Sequence, residues 1–212
     1  MTTIAAFTPT NPVATNPFAT RFTSPGRLPP LDPSGVAIDL DDLLNRFRYL
    51  GDRAAIRGPH GTGKSNLLVA MAECIRRDGR LGGLVRLGLG WRRDLGAVAA
   101  GLATCGRDSV LCIDSWERLG GVAAAITCVV ARATGRGLLV TSHGEGPLPT
   151  LVSCSTTPRL LCTIVDRLPD RHGLLSSADI EETFREAGGN LREALFLLYD
   201  RFEQARSHLV RS

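Results

Sequence analysis

Residues 58–65 read GPHGTGKS, and this stretch limits what the chain can fold into more than any other. The spacing Gly58-x-x-x-x-Gly63-Lys64-Ser65 fits the pattern G-x-x-x-x-G-K-[ST]. In that loop, backbone N–H groups cradle phosphate oxygens, the lysine reaches the β- and γ-phosphates, and the hydroxyl ligates Mg²⁺. Glycines at 58, 61 and 63 let the backbone curl close to an anion without Cβ clashes. The loop requires a strand before it and a helix after it. Ala54-Ala55-Ile56 is a short apolar run after the turn signal Gly51-Asp52, and Ser65 to Ile75 predicts a mostly buried helix ending near Asp78-Gly79. The N-terminus of that helix adds its own partial positive charge to the phosphate site.

Lys64 stands out for a second reason. The chain carries 25 lysines and arginines, and every one except Lys64 is arginine. A bias of that kind reads as genomic, so the position that resists it needs something arginine lacks. Lysine offers a compact point charge on a flexible stem, whereas the guanidinium fork is wide and planar. A tight phosphate cradle selects the lysine.

The 212 residues, 43% of them hydrophobic, suit one sizeable domain with an appendage. No apolar run reaches the roughly 18–20 residues that span a bilayer, and the start lacks a basic segment followed by an apolar one. A cytoplasmic protein with no membrane partner is expected. Residues 1–35 are rich in Thr, Pro, Ala and Asn. They read as a flexible arm, with Phe18, Phe22 and Leu28 as anchors where it lies along the domain; a transit peptide is the other reading. Cys74, Cys105, Cys112, Cys128, Cys154 and Cys162 contain no C-x-x-C pair and read as small buried residues in a reducing compartment. The net charge of +4 permits nucleic-acid contact without indicating it. Arginines 76, 77, 80, 86, 92 and 93 read as solvated helix ends.

Farther along, Asp39 is placed to cap a helix from Leu40 to Leu50, Leu84 to Leu87 predicts a second strand, and Trp91 to Ala103 a helix. Val110-Leu111-Cys112-Ile113-Asp114 has the form of a fully buried parallel strand that ends in a carboxylate. In phosphate-loop NTPases an acid at that place holds Mg²⁺ together with the loop hydroxyl, so Ser65 and Asp114 are the candidate metal ligands. A helix from Leu119 to Ala133 leads to the buried strand Gly137 to Val140. That strand ends in Thr141-Ser142-His143, one of which could read the γ-phosphate or position water. Leu151 to Ser153 adds a fifth strand, and Thr157-Pro158 opens a helix toward Leu168. The alternation predicts an α/β fold with a parallel sheet flanked by helices. Beyond Pro169 the pattern is helical, with starts at Ser176 and Asn190 and a stop at Gly188-Gly189.

The order GPHGTGKS, VLCID, LLVTSH and GGNLREAL resembles that of the AAA+ ATPases and related signal-transduction NTPases. The resemblance implies an arm at 1–35, a phosphate-loop nucleotide-binding core at 36–168 and a small helical lid at 169–212. It implies ATP and Mg²⁺ as ligands, and a protein partner or self-assembly. Nucleotide contacts are then expected from Gly58, Pro59, His60, Gly61, Thr62, Gly63, Lys64, Ser65 and Asn66, from Ser142 in the place of a first sensor, and from Arg192 in the place of a second. Lys64 and Glu117 are the candidate catalytic residues. The family usually sets a glutamate directly after the strand aspartate, and here that position is Ser115, so Glu117 or Glu145 is left as general base. A GTPase of the common type needs a second lysine, and the only glutamine, Gln204, disfavours transporter-type ATPases. Two readings follow: an ATPase, or a non-hydrolysing nucleotide switch, which Ser115 favours.

Overall fold

Apolar runs without alternation have to be covered on both faces, and this governs the architecture. In the computed structural model, β3 (Val110–Asp114) and β4 (Gly137–Ser142) are buried at every residue. They lie inside a five-stranded, wholly parallel sheet with β1 (Arg53–Arg57), β2 (Leu81–Arg86) and β5 (Thr150–Ser153), in the order β2-β3-β4-β1-β5. Residues 15–169 and 176–211 are described, the side chains from 208 onward excepted. Residues 1–14 of the expected arm and 170–175 of the expected lid lie outside them.

The pleat sends alternate residues to opposite faces. Ala54, Ile56, Cys112 and Leu139 pack under α2 (Leu40–Tyr49) and α3 (Lys64–Arg77). Ala55, Leu111, Ile113, Leu138 and Val140 pack under α4 (Trp91–Thr104) and α5 (Gly120–Ala133). Asp39 caps α2 as expected, accepting from the N–H groups of Asp41 and Asp42 at 3.0 Å each. The second strand begins three residues before the sequence reading placed it. Gly82 and Gly83 weaken its strand signature, and Gly82 is required there: a Cβ would lie 1.9 Å from the Cys105 sulfur. Gly101, an apparent flaw in α4, lies against Leu111, where a Cβ would come within 3.0 Å.

The last crossover is unusually short. Parallel strands are normally joined through a helix, yet only residues 143–149 carry the chain from β4 over β1 to β5. This works because β5 is short and begins level with Ala55. Arg57, at the end of β1, holds the loop by donating to the carbonyls of Gly144, Gly146 (3.2 Å) and Leu148 (2.8 Å).

A third apolar cluster gathers α6 (Pro158–Asp166), α7 (Ser177–Glu186) and α8 (Leu191–Arg211) around Leu161, Ile180, Phe184, Leu191 and Leu198. Burial therefore groups α6 with the helical tail, whereas the boundary at 168 follows the break in pattern at Pro169. Phe18 is buried in the same cluster, edge-on to Phe202 at 6.2 Å between ring centroids, with Phe22 and Leu28 partly buried against it. The short turn α1 (Thr20–Thr23) follows Phe18. Asn16 donates to the Tyr199 carbonyl at 3.0 Å and to Glu203 at 2.9 Å.

Replacing Arg57 with Met should release the crossover loop. Hydrogen bonds from a charged donor contribute about 1.5–3 kcal/mol each, and solvent recovers part of that for these carbonyls. Urea unfolding is expected to report a loss of about 2–3 kcal/mol.

Candidate functional site

The loop 58–63 leaves β1 and enters α3 where the strand order reverses, the position at which open parallel sheets take ligands. Three glycines shape it. Gly58 has φ 148° and passes so close to β5 that a Cβ would sit 2.4 Å from the Cys154 carbonyl. Gly61 and Gly63 take φ 72° and 86°, left-handed values that favour glycine. A Cβ on Gly63, the N-cap of α3, would meet nothing within 4 Å. Backbone donors at that end can thus be approached by an anion.

Lys64 is buried, and its ammonium folds back into the loop, donating to the carbonyls of Gly58 (2.7 Å) and Pro59 (2.5 Å) and lying 3.2 Å from His143 Nδ1. Burial lowers its pKa, and the positive charge of Arg192 acts in the same direction, against Cys154, Glu117 and Asp114. Thr62 braces the turn through a 3.0 Å bond to the Pro59 carbonyl.

Below the loop stands Asp114, nearly inaccessible at the end of β3. Its Oδ1 accepts from Ser65 at 2.9 Å and from Thr141 at 2.6 Å, and its Oδ2 pairs with Arg86 at 3.3 Å. A serine hydroxyl has one proton and two lone pairs. Because Ser65 gives its proton to Asp114, both lone pairs are open to a cation, and the carboxylate adds negative charge behind it. The donor set fits Mg²⁺ bound by Ser65, with Asp114 behind it, and the glycine cradle with Lys64 fits a polyphosphate.

The residue after Asp114 explains a departure seen in the sequence. Ser115 has φ 66°, a left-handed value uncommon for serine, and its N–H donates to Thr141 Oγ1 at 2.8 Å. That turn leads into a 3-10 helix, Trp116–Leu119, which buries Trp116. Glu117 then reaches His143, Oε1 to Nε2 at 3.2 Å. The carboxylate arrives two residues after the position where the resemblance expects one.

Other expected residues divide. The His60 ring lies against that of His143, centroids 3.5 Å apart. Ser142 Oγ donates to the Gly144 carbonyl at 3.1 Å, within its own loop. Asn66 turns away: its amide oxygen accepts from the Gly26 N–H at 2.7 Å and its amide nitrogen donates to the Leu28 carbonyl at 3.0 Å. The arm occupies both ends of that side chain. Arg192, exposed at the start of α8, is near enough to act on Lys64. Asn190 was not among the expected residues. Its oxygen caps α8, accepting from Arg192 and Glu193 N–H groups, and the Leu191 N–H donates to the Gly61 carbonyl at 3.2 Å. Arg86, read from the sequence as part of a solvated helix end, instead closes β2 and pairs with Asp114.

No protein-family model matches the sequence, and no curated protein does. Solved structures are similar to it. Two RuvB variants of Thermotoga maritima align at TM-scores of 0.53 and 0.52 with 21% and 20% identity, over 75% of this chain and 58% of each of theirs. The fold is an α/β P-loop NTPase fold. This chain spans less than two thirds of the length of those RuvB chains. PCH-2 of C. elegans aligns at 0.40 with 13% identity, over 78% of this chain and 66% of that one, too low a score to argue from.

The contact between loop and lid can be tested at Gly61. A Cβ there would lie 1.7 Å from Asn190 Oδ1, so Gly61→Ala should displace the cap of α8 and speed proteolysis within residues 176–211. Glycine caps almost as well as asparagine. The double variant Gly61→Ala/Asn190→Gly should therefore recover part of the wild-type resistance, the strain of alanine at φ 72° remaining.

Proposed function

We propose that the chain binds Mg-ATP at Gly58 to Ser65 and hydrolyses it, and that α7 and α8 respond to the state of the γ-phosphate. The observation that carries this reading is the Ser65–Asp114 hydrogen bond at 2.9 Å directly below a loop that holds a buried lysine. Bound Mg²⁺ would neutralise charge on the β- and γ-phosphates. The chain itself supplies the rest, with Lys64 as the mobile cation, Ser65 and Asp114 as the metal seat, and Thr141 fixing Asp114. Arg192 stands where a lid cation can sense the nucleotide. Catalysis of this kind is positioning and charge stabilisation.

The contact from Leu191 to Gly61 supports coupling, because a phosphate that reshapes the loop must also alter the seat of α8. Exposed Val122, Ile126 and Val129 form an uncharged stripe on α5, which supports a protein partner or self-assembly. Among the described residues no helix is long and apolar enough to cross a membrane. The second reading, a non-hydrolysing switch, draws its support from Ser115 in the place of the usual glutamate.

Phosphate release by the purified chain with Mg-ATP, alongside equilibrium binding of a non-hydrolysable ATP analogue, tests both. The ATPase reading expects turnover that Lys64→Ala abolishes together with most of the binding. Tight binding with no turnover would favour the switch. Unchanged binding in Lys64→Ala would overturn both.

A further inference from the structure

His143 is not needed for the nucleotide site as drawn above, yet it joins Lys64, Gly58, His60 and Glu117 in one polar cluster. An ammonium has three N–H donors, and Lys64 has three acceptors around it: the carbonyls of Gly58 and Pro59, and His143 Nδ1 at 3.2 Å. If all three are to be satisfied, Nδ1 carries a lone pair and the ring proton is on Nε2. There it faces Glu117 Oε1 at 3.2 Å. The Gly58 carbonyl, also 3.2 Å from Nδ1, then shares the ammonium with it. The result is an ordered chain, Lys64 to His143 to Glu117, running from the phosphate loop to the 3-10 helix after Asp114.

Resting on the ATPase reading, we propose that His143 takes the proton from the attacking water through Nδ1, and that Glu117 is its positioning carboxylate. In this step the water oxygen bonds to the γ-phosphorus as the bond to the β,γ-bridging oxygen breaks, and that electron pair leaves with ADP. The water proton passes to Nδ1, and the Nε2–H stays on the ring and donates to Glu117, whose charge stabilises the imidazolium. The proton then leaves to solvent. Lys64 supplies the control. While its ammonium donates to Nδ1 the base is blocked, and drawing Lys64 onto the phosphates uncovers the lone pair. Burial and the charges of Lys64 and His60 hold the His143 pKa below 6.5, against Glu117 and the Gly58 carbonyl, which raise it. The ring is therefore neutral at pH 7, as a proton acceptor must be. Ser115 is explained as well, since a base delivered from β4 needs no glutamate directly after Asp114.

Three measurements on the full chain decide this. His143→Gln and His143→Ala should each lower turnover by roughly 10²–10⁴-fold, the usual range for a lost general base, while affinity for a non-hydrolysable ATP analogue changes by less than about threefold. The acid limb of the wild-type pH–rate profile should move to lower pH in Glu117→Gln, because losing the carboxylate removes a group that raises the imidazole pKa. Long-range ¹H–¹⁵N spectra of the histidine-labelled protein should show His143 with its proton on Nε2, and its Nδ1 signal should move when the analogue and Mg²⁺ are added. Full turnover in His143→Gln, or a proton on Nδ1, would overturn the proposal and leave the ATPase reading standing. A wild-type chain that binds the analogue but releases no phosphate would overturn both.

Discussion

Asp114 is the fixed point on which this structure turns. A buried carboxylate is costly unless its oxygens are met by donors, and three elements supply them: α3 through Ser65, β4 through Thr141 and β2 through Arg86. Each partner stands at the end of its element. Satisfying one carboxylate therefore aligns the tips of β2, β3 and β4 with the start of α3. That alignment in turn sets where the loop 58–63 lies and where residues 141–143 emerge. Thr141 serves twice, donating to Asp114 and accepting from Ser115, so the tight turn after β3 is tied to the same point.

Much of this could be read from the chain because the signals were local. The buried runs of β3 and β4, the glycine spacing of the phosphate loop and the caps at Asp39, Thr157 and Ser176 each act within a few residues, and each lies where the pattern placed it. Ser65 and Asp114 meet as the spacing implied. What escaped were pairings across long separations. Asn66 matched the loop pattern, but nothing in it shows that Gly26 and Leu28 bind both ends of its amide. Within 141–143 the sequence offered three polar residues, and the resemblance singled out Ser142. The pleat decides: Thr141 faces Asp114, Ser142 bonds within its own loop, and His143 reaches Lys64 and Glu117. The early start of β2 was hidden by Gly82 and Gly83, the first of which is required by the sulfur of Cys105 at the end of α4.

The short crossover from β4 to β5 shows one arginine replacing a secondary-structure element. A helix normally satisfies its own backbone while it bridges parallel strands. Here a loop too short for a helix has three of its carbonyls met by Arg57 instead, and Leu148 fills the apolar space beside Ala55 and Val140. Even with so short a crossover, Ala54, Ala55 and Ile56 of β1 stay fully buried.

Asn16 bonds to α8 across separations of 183 and 187 residues, and Phe18 packs on Phe202. During synthesis these partners cannot meet until residues 199–203 have left the ribosome. Loop-closure entropy and the order of emergence both make this the last seam to form. The sheet and its phosphate loop can be complete while the helical cap and the arm are still apart. A chain clipped before α8 would keep the nucleotide cradle and lose what fastens its cover.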